Sequence, residues 1–222
     1  MPVLETILTV IAPHTCVSCG VEGSLLCGRC SVEITPVPSR CYHCRKLTES
    51  FRTCQSCRGS SKLRRVYVRA QYGDIPKELV HKLKFERARA AATTLADLMR
   101  ERMVDVSADT LFVHVPTATS RRRQRGYDQA ELLTKELTRL TGIKRVSALG
   151  RLGQQRQVGH SRKQRLEQLS DAFYLPNPKK VIGRDILLVD DVLTTGATLE
   201  AAAYVLRRAG ARHVDAIVFA QA

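Results

Sequence analysis

Tryptophan is absent and aromatic side chains make up only 5% of the 222 residues, which counts against a single-strand nucleic-acid reader built on stacking platforms. Long apolar runs are missing too. The opening stretch from Val3 to Ala12 is interrupted by Glu5, follows no basic residues, and is far shorter than the ~20 residues that span a bilayer. It reads as a short amphipathic helix packed on the protein, so no membrane insertion and no export are expected. The expected compartment is the reducing cytoplasm. No low-complexity tract and no repeat of solenoid length is visible, and cysteine stops at Cys57.

What is present describes a folded chain. Hydrophobic content of 44% and charged content of 26% are those of a globular protein, and 222 residues can hold one medium α/β domain with a small appendage. Positive charge dominates, with 36 Lys plus Arg against 21 Asp plus Glu and a formal net charge of +15. Such a surface favours polyanions through counterion release, so DNA is an expected partner, and RNA would read the same way. A basic solvated surface with no dedicated partner is the competing reading.

In a reducing compartment, eight cysteines are metal ligands rather than disulfides. They fall as four CxxC pairs: Cys16/Cys19, Cys27/Cys30, Cys41/Cys44 and Cys54/Cys57. Two intervening residues let both sulfurs of a pair point to one side of a tight turn, and two such turns complete a tetrathiolate site. Two structural Zn²⁺ ions are expected, with the pairs either consecutive or cross-braced; a redox dithiol and an iron–sulfur cluster are the alternatives. A segment with so few large apolar residues would take its folding free energy from the metal. Gly20 and Gly28 fit turns of positive φ, and His14 and His43 could be ligands but read as bystanders beside complete cysteine sets. The segregation of cysteine predicts a helix and double zinc-ribbon module at 1–60 and an α/β domain at 61–222.

Beyond the basic stretch Lys62 to Arg65, strand and helix patterns alternate. Strands are predicted at Val66–Tyr72, Leu111–Val115, Arg145–Leu149, Asp185–Val189 and Val214–Ala220. Helices are predicted over Ile75–Met103 with a break near Arg87, over Tyr127–Leu140 and over Leu199–Ala209. The run Ile186 to Val189 has no polar relief, as expected of a strand buried in a parallel sheet. The fold class is therefore α/β, with an open, mainly parallel sheet whose ligand crevice lies beyond the carboxyl ends of its strands.

The stretch Leu187 to Thr198 reads LLVDDVLTTGAT: a buried strand, two acidic residues, then hydroxyl residues and glycine opening a helix. Backbone N–H groups at the helix start make an anion cradle, Thr194, Thr195 and Thr198 add hydroxyl donors, and Gly196 followed by Ala197 lets a phosphate approach the backbone. Asp190 and Asp191, predicted to lie exposed at the strand end, can accept hydrogen bonds from vicinal sugar hydroxyls or face a hydrated Mg²⁺ ion. A Walker A loop is excluded, since the Gly-Lys-Ser/Thr ending is missing. The bland alternative is a strand end followed by an ordinary helix cap.

This string resembles the signature of type I phosphoribosyltransferases, which bind phosphoribosyl pyrophosphate through two acidic residues and a Thr/Gly loop. Together with the CxxC pairs, VPTATSRRRQRGYDQAELL and a segment holding Gln157 and Arg165, it resembles the ComF family over nearly the whole chain. That resemblance implies a zinc-ribbon segment before a phosphoribosyltransferase-like domain, an association with uptake of transforming DNA, and a helicase-like partner. It implies phosphoribosyl pyrophosphate with Mg²⁺ as ligand and Asp190 and Asp191 as catalytic residues. Arg121, Arg123 and Arg125 are candidate pyrophosphate contacts, and Arg151, Gln157 and Arg165 belong to a covering flap at 151–165. Two departures stand out: VPT at 115–117 in place of a VPVP-like strand end, and Asp128 where Asn is common. If the site is catalytic, a nucleophile attacks the anomeric carbon as pyrophosphate departs, although no general base is evident. A metabolic transferase with a small acceptor and a non-catalytic DNA-binding module are the competing functions.

Overall fold

Residues 14–86, 88–152 and 172–222 are described by the computed structural model. The proposed helix at 3–12, together with Gln157 and Arg165, lies outside the described residues. Two one-turn helices, α1 (Gly28–Ser31) and α2 (Gln55–Arg58), carry Cys30 and Cys57, with Cys27 and Cys54 at their N-caps. Then follow β1 (Val66–Gln71), α3 (Asp74–Phe85), α4 (Ala88–Arg100), β2 (Leu111–His114), α5 (Thr119–Arg125) and α6 (Gln129–Thr141). The remainder is β3 (Gly150–Arg151), β4 (Phe173–Tyr174), β5 (Asp185–Leu193), α7 (Ala197–Arg208) and β6 (His213–Gln221).

Strands β1, β6, β5 and β2 form a parallel sheet in that spatial order. Ile186 to Val189 are all buried at its centre, as their unrelieved apolar run dictates. The crossover from β1 to β2 runs along the sheet in the opposite sense to that from β5 to β6, so right-handed connections place α4 and α7 on opposite faces. Helix α6 packs against α4. Asp128 caps α6 by accepting from the amides of Ala130 and Glu131, and Gly142 ends the helix in the left-handed conformation at φ +73°.

Two expectations change. A five-residue strand at Arg145–Leu149 is reduced to a single parallel bridge between Arg145 and Phe112, because the chain turns inward at Ala148 and Leu149 to enter the short antiparallel pair β3–β4. The run Val66–Tyr72 alternates apolar and polar residues as a half-buried strand does, yet residues 66–70 of β1 are all buried. The cysteine segment covers that edge. The amide of Val37 donates to the Arg69 carbonyl at 3.3 Å, Thr53 to Arg64 at 2.9 Å, and Arg52 bridges Arg65. An open strand edge is thereby paired within the chain, and Phe51 packs its ring on Tyr67 with centroids 5.7 Å apart.

Candidate functional site

The eight cysteines gather as two sets, Cys16, Cys19, Cys27 and Cys30, then Cys41, Cys44, Cys54 and Cys57, the sulfurs of each set lying within 4.8 Å of one another. The pairs are thus consecutive, not cross-braced. Sulfurs approach to 3.7 Å between Cys19 and Cys27 and to 3.4 Å between Cys44 and Cys54. A tetrahedral ZnS₄ centre with bonds of about 2.3 Å separates its sulfurs by about 3.8 Å, so both sets fit zinc. With no cation among them the four thiols do not ionise together: a hydrogen bond from Ser56 helps lower the Cys54 thiol to about 6, whereas burial pushes Cys57 up to about 12. Four thiolates this close require a cation among them. His43 Nδ1 stands 3.6 Å from Cys57 Sγ, beside a complete ligand set. Gly20 takes the expected positive φ of +74°, but Gly28 does not; it begins α1.

The two clusters repeat one design. Cys16 donates its amide to Val21 as Cys41 does to Lys46, and the bridges Thr15–Glu22 and Arg40–Leu47 close the two knuckles in the same way. The position after the second cysteine is Gly20 in one and Arg45 in the other, the arginine also at positive φ, +66°.

At the carboxyl ends of the sheet strands lies a cleft of about 380 Å³. Strand β5 runs to Leu193 and pairs Asp190 with Val218 and Val192 with Ala220, so the acidic pair sits inside the strand and not beyond it. This corrects the expected exposure: Asp191 is only 5% exposed, and its carboxylate forms an ion pair with Lys84 of α3 at 2.7 Å. Desolvation, then the Asp191 charge beside it, raises the pKa of the half-buried Asp190 well above the usual carboxylate range. Thr194, Thr198, Arg121 and Arg151 join the two acids in lining the cleft. Thr195 is exposed and its hydroxyl accepts from the Ala197 amide at 3.4 Å. Arg151, in β3, donates to the Pro116 carbonyl at 3.1 Å and stacks on Phe173.

Arg123 is exposed and does not line the cleft, and Arg125 packs over Phe85 while donating to Gln129 at 2.9 Å. Sequence reasoning missed Lys84, for which KLKF at a helix end gives no signal. It also missed why Thr117 and Asp128 occur together. Asp128 accepts from the Thr117 amide at 2.8 Å and from its hydroxyl at 3.1 Å, so the two departures from the family pattern are one hydrogen-bonded unit at the cleft wall.

A larger recess of about 720 Å³ opens at the opposite end of the sheet, where β1 and β6 begin. Arg52, Arg58 and Lys62 from the cysteine segment and Arg207 and Arg208 from α7 line it, with Arg64 held by Asp215 at 2.7 Å. Among the described residues, the side chains of Arg52, Arg58 and Lys62 form no ion pair with a carboxylate. No helix of the described residues is long and apolar enough to cross a membrane.

A parallel sheet ending in an acidic pair and a Thr/Gly turn before a helix defines a phosphoribosyltransferase-type fold, and the family profile described as Phosphoribosyl transferase domain matches residues 123–222. Relatives extend the likeness over most of the chain. The DNA utilization protein YhgH of Escherichia coli (strain K12) is 30% identical over 86% of this chain and 87% of its own length. Competence protein F of Haemophilus influenzae is 28% identical over 86% and 87%, and competence protein ComFC of Bacillus subtilis (strain 168) is 28% identical over 83% and 79%. The chain belongs to the ComF family.

Proposed function

We propose that the protein binds phosphoribosyl pyrophosphate, or a related phosphorylated ribose, in the cleft of Asp190 and Asp191, and serves in the handling of incoming DNA. The observation that carries this reading is the convergence of two carboxylates, two threonines, Arg121 and Arg151 on one crevice at the strand ends. The start of α7 would take the 5-phosphate on its free N–H groups beside Thr194 and Thr198. Asp190 and Asp191 would accept from the ribose hydroxyls, and Arg121 and Arg151 would face the diphosphate. Mg²⁺, which neutralises a diphosphate when bound, would lie near Asp190 and Asp191. Positioning, rather than proton transfer, is what these residues supply. The module boundary at 60/61 belongs to the same proposal, with zinc holding 1–60.

DNA handling is favoured by the basic recess at the far end of the sheet, where Arg52, Arg58 and Lys62 form no ion pair, since a phosphodiester backbone needs such a stripe and no base-reading groups. Relatives named for competence and DNA utilization point the same way. Reversing Arg52, Arg58 and Lys62 to Glu should weaken DNA binding at least tenfold and flatten its salt dependence. Equal binding by that variant would remove the recess from the proposal.

Calorimetric titration of the zinc-loaded protein with phosphoribosyl pyrophosphate and Mg²⁺ tests the cleft. Asparagine is the better replacement for both acids, because Asp191→Ala would strand Lys84 half-buried. Binding that survives in the Asp190→Asn/Asp191→Asn variant sinks the assignment. Asp190→Asn alone has a second signature. A carboxyl whose folded pKa is raised contributes its stability below the ordinary carboxylate pKa and loses it as pH climbs through the raised value. The variant should therefore melt above wild type at pH 8, converge with it near pH 4, and bind ligand less well.

A further inference from the structure

The cleft and the second cysteine cluster meet at one tyrosine. Tyr42 lies between Cys41 and Cys44 and is 5% exposed. Gly196, the residue before α7, sits at φ +80°, and a Cβ placed there would lie 2.9 Å from Tyr42 Cε2. The turn that closes the Thr194–Thr198 loop is therefore pressed flat on a ring held by the knuckle. The Tyr42 hydroxyl and the Ser61 hydroxyl both donate to Glu200 Oε1, and the Lys62 amide donates to Oε2 at 2.9 Å. Glu200 stands in the first turn of α7, the turn the loop enters.

A second tie leaves the same knuckle. Arg45, the residue after Cys44, donates to the Ala222 carbonyl at 3.2 Å; Ala222 lines the cleft, and its amide donates to Leu193, the residue before Thr194. Among the described residues, no hydrogen bond or ion pair joins 14–33 to the cleft lining.

Resting on the reading of the cleft as a sugar-phosphate site, we propose that Tyr42 is a positioning residue for the phosphate loop. Zinc in the second cluster thereby sets that loop for its ligand, and zinc in the first does not. The metal fixes the Cys41–Cys44 turn, the turn fixes the ring, and the ring and Glu200 hold Thr194–Thr198 with its N–H groups already arranged for an anion. Loss of metal from the second cluster frees Tyr42 and returns the ordering cost of the loop to the ligand.

The test compares zinc-loaded wild type, Tyr42→Ala, Tyr42→Phe and Leu25→Ala by amide hydrogen exchange over 194–200 and by titration with phosphoribosyl pyrophosphate and Mg²⁺. Tyr42→Ala should speed exchange at 194–200 on the order of tenfold and weaken binding on the order of tenfold, with its zinc content unchanged. Tyr42→Phe keeps the ring and loses one donor to Glu200, so about threefold is expected in each. Leu25→Ala opens a hole beneath the first cluster and should lower the melting temperature with neither change. Protection at 194–200 that stays the same in Tyr42→Ala overturns the proposal, as does an equal loss in Leu25→Ala. Should Tyr42→Ala lose its metal, Tyr42→Phe decides alone, and wild-type exchange there is the overturning result. A wild type that binds no phosphoribosyl pyrophosphate, while Tyr42→Ala still loosens 194–200, sinks the cleft reading and leaves the coupling standing.

Discussion

The two cysteine clusters share a knuckle, a closing bridge and a one-turn helix, yet they stand in different relations to the rest of the chain. The first packs Leu25 and Ile34 into the common core and gives one carbonyl, that of Ile34, to Arg69. The second sends Tyr42 and Arg45 to the turn and the rim of the cleft. Equal metal chemistry thus serves scaffolding in one case and site geometry in the other, and what separates them is which side chains fill the positions between and after the cysteines. A ligand set alone would not have revealed this.

The strongest way to break the comparison is to remove one ligand from each cluster. Cys30→Ser and Cys57→Ser should each cost one zinc ion and lower the melting temperature by roughly 10 °C, since a structural site contributes several kcal/mol to folding. Only Cys57→Ser should abolish binding of phosphoribosyl pyrophosphate, with Cys30→Ser staying within about twofold of wild type. Identical ligand affinities in the two variants would make the clusters equivalent scaffolds. A smaller perturbation sharpens the contrast without touching metal. Glu200→Gln keeps the shape of the side chain but turns a charged acceptor of three donors into a neutral one, and should cost about 1–2 kcal/mol by denaturant titration.

Much of this was legible in the residues because the signals are local. The apolar run at 186–189, the Gly142 stop and the CxxC spacing each act within a few residues, and the elements they predict are present. Exposure of Asp190 and Asp191 was misjudged because strand β5 is prolonged by pairing with β6 as far as Leu193, a tertiary effect that the acidic residues themselves oppose. The burial of both faces of β1 depends on Val37 and Thr53 arriving from the cysteine segment, and Lys84 reaches Asp191 across more than a hundred residues of sequence. Nor does the sequence around Gly196 reveal that the Tyr42 ring fills the space where a Cβ there would lie. Contacts between segments far apart in sequence leave no periodicity to read.

The finest test exploits the position just after the second cysteine of each knuckle. Gly20 and Arg45 occupy equivalent sites at φ +74° and +66°, a region that costs an L-residue about 1 kcal/mol and glycine almost nothing. Gly20→Ala should therefore destabilise the first knuckle by about 1 kcal/mol with no gain elsewhere, and leave ligand affinity alone. Arg45→Gly relieves the same strain but removes the hydrogen bond to the Ala222 carbonyl, worth about 1 kcal/mol, so its net effect on stability should be close to zero. Its effect on the cleft should not be, because the rim loses its tie to the metal-held turn: affinity for phosphoribosyl pyrophosphate should fall about twofold to fivefold at unchanged melting temperature. If Arg45→Gly instead raises stability by about 1 kcal/mol with affinity intact, the arginine carries strain without function, and Tyr42 alone links the second cluster to the cleft.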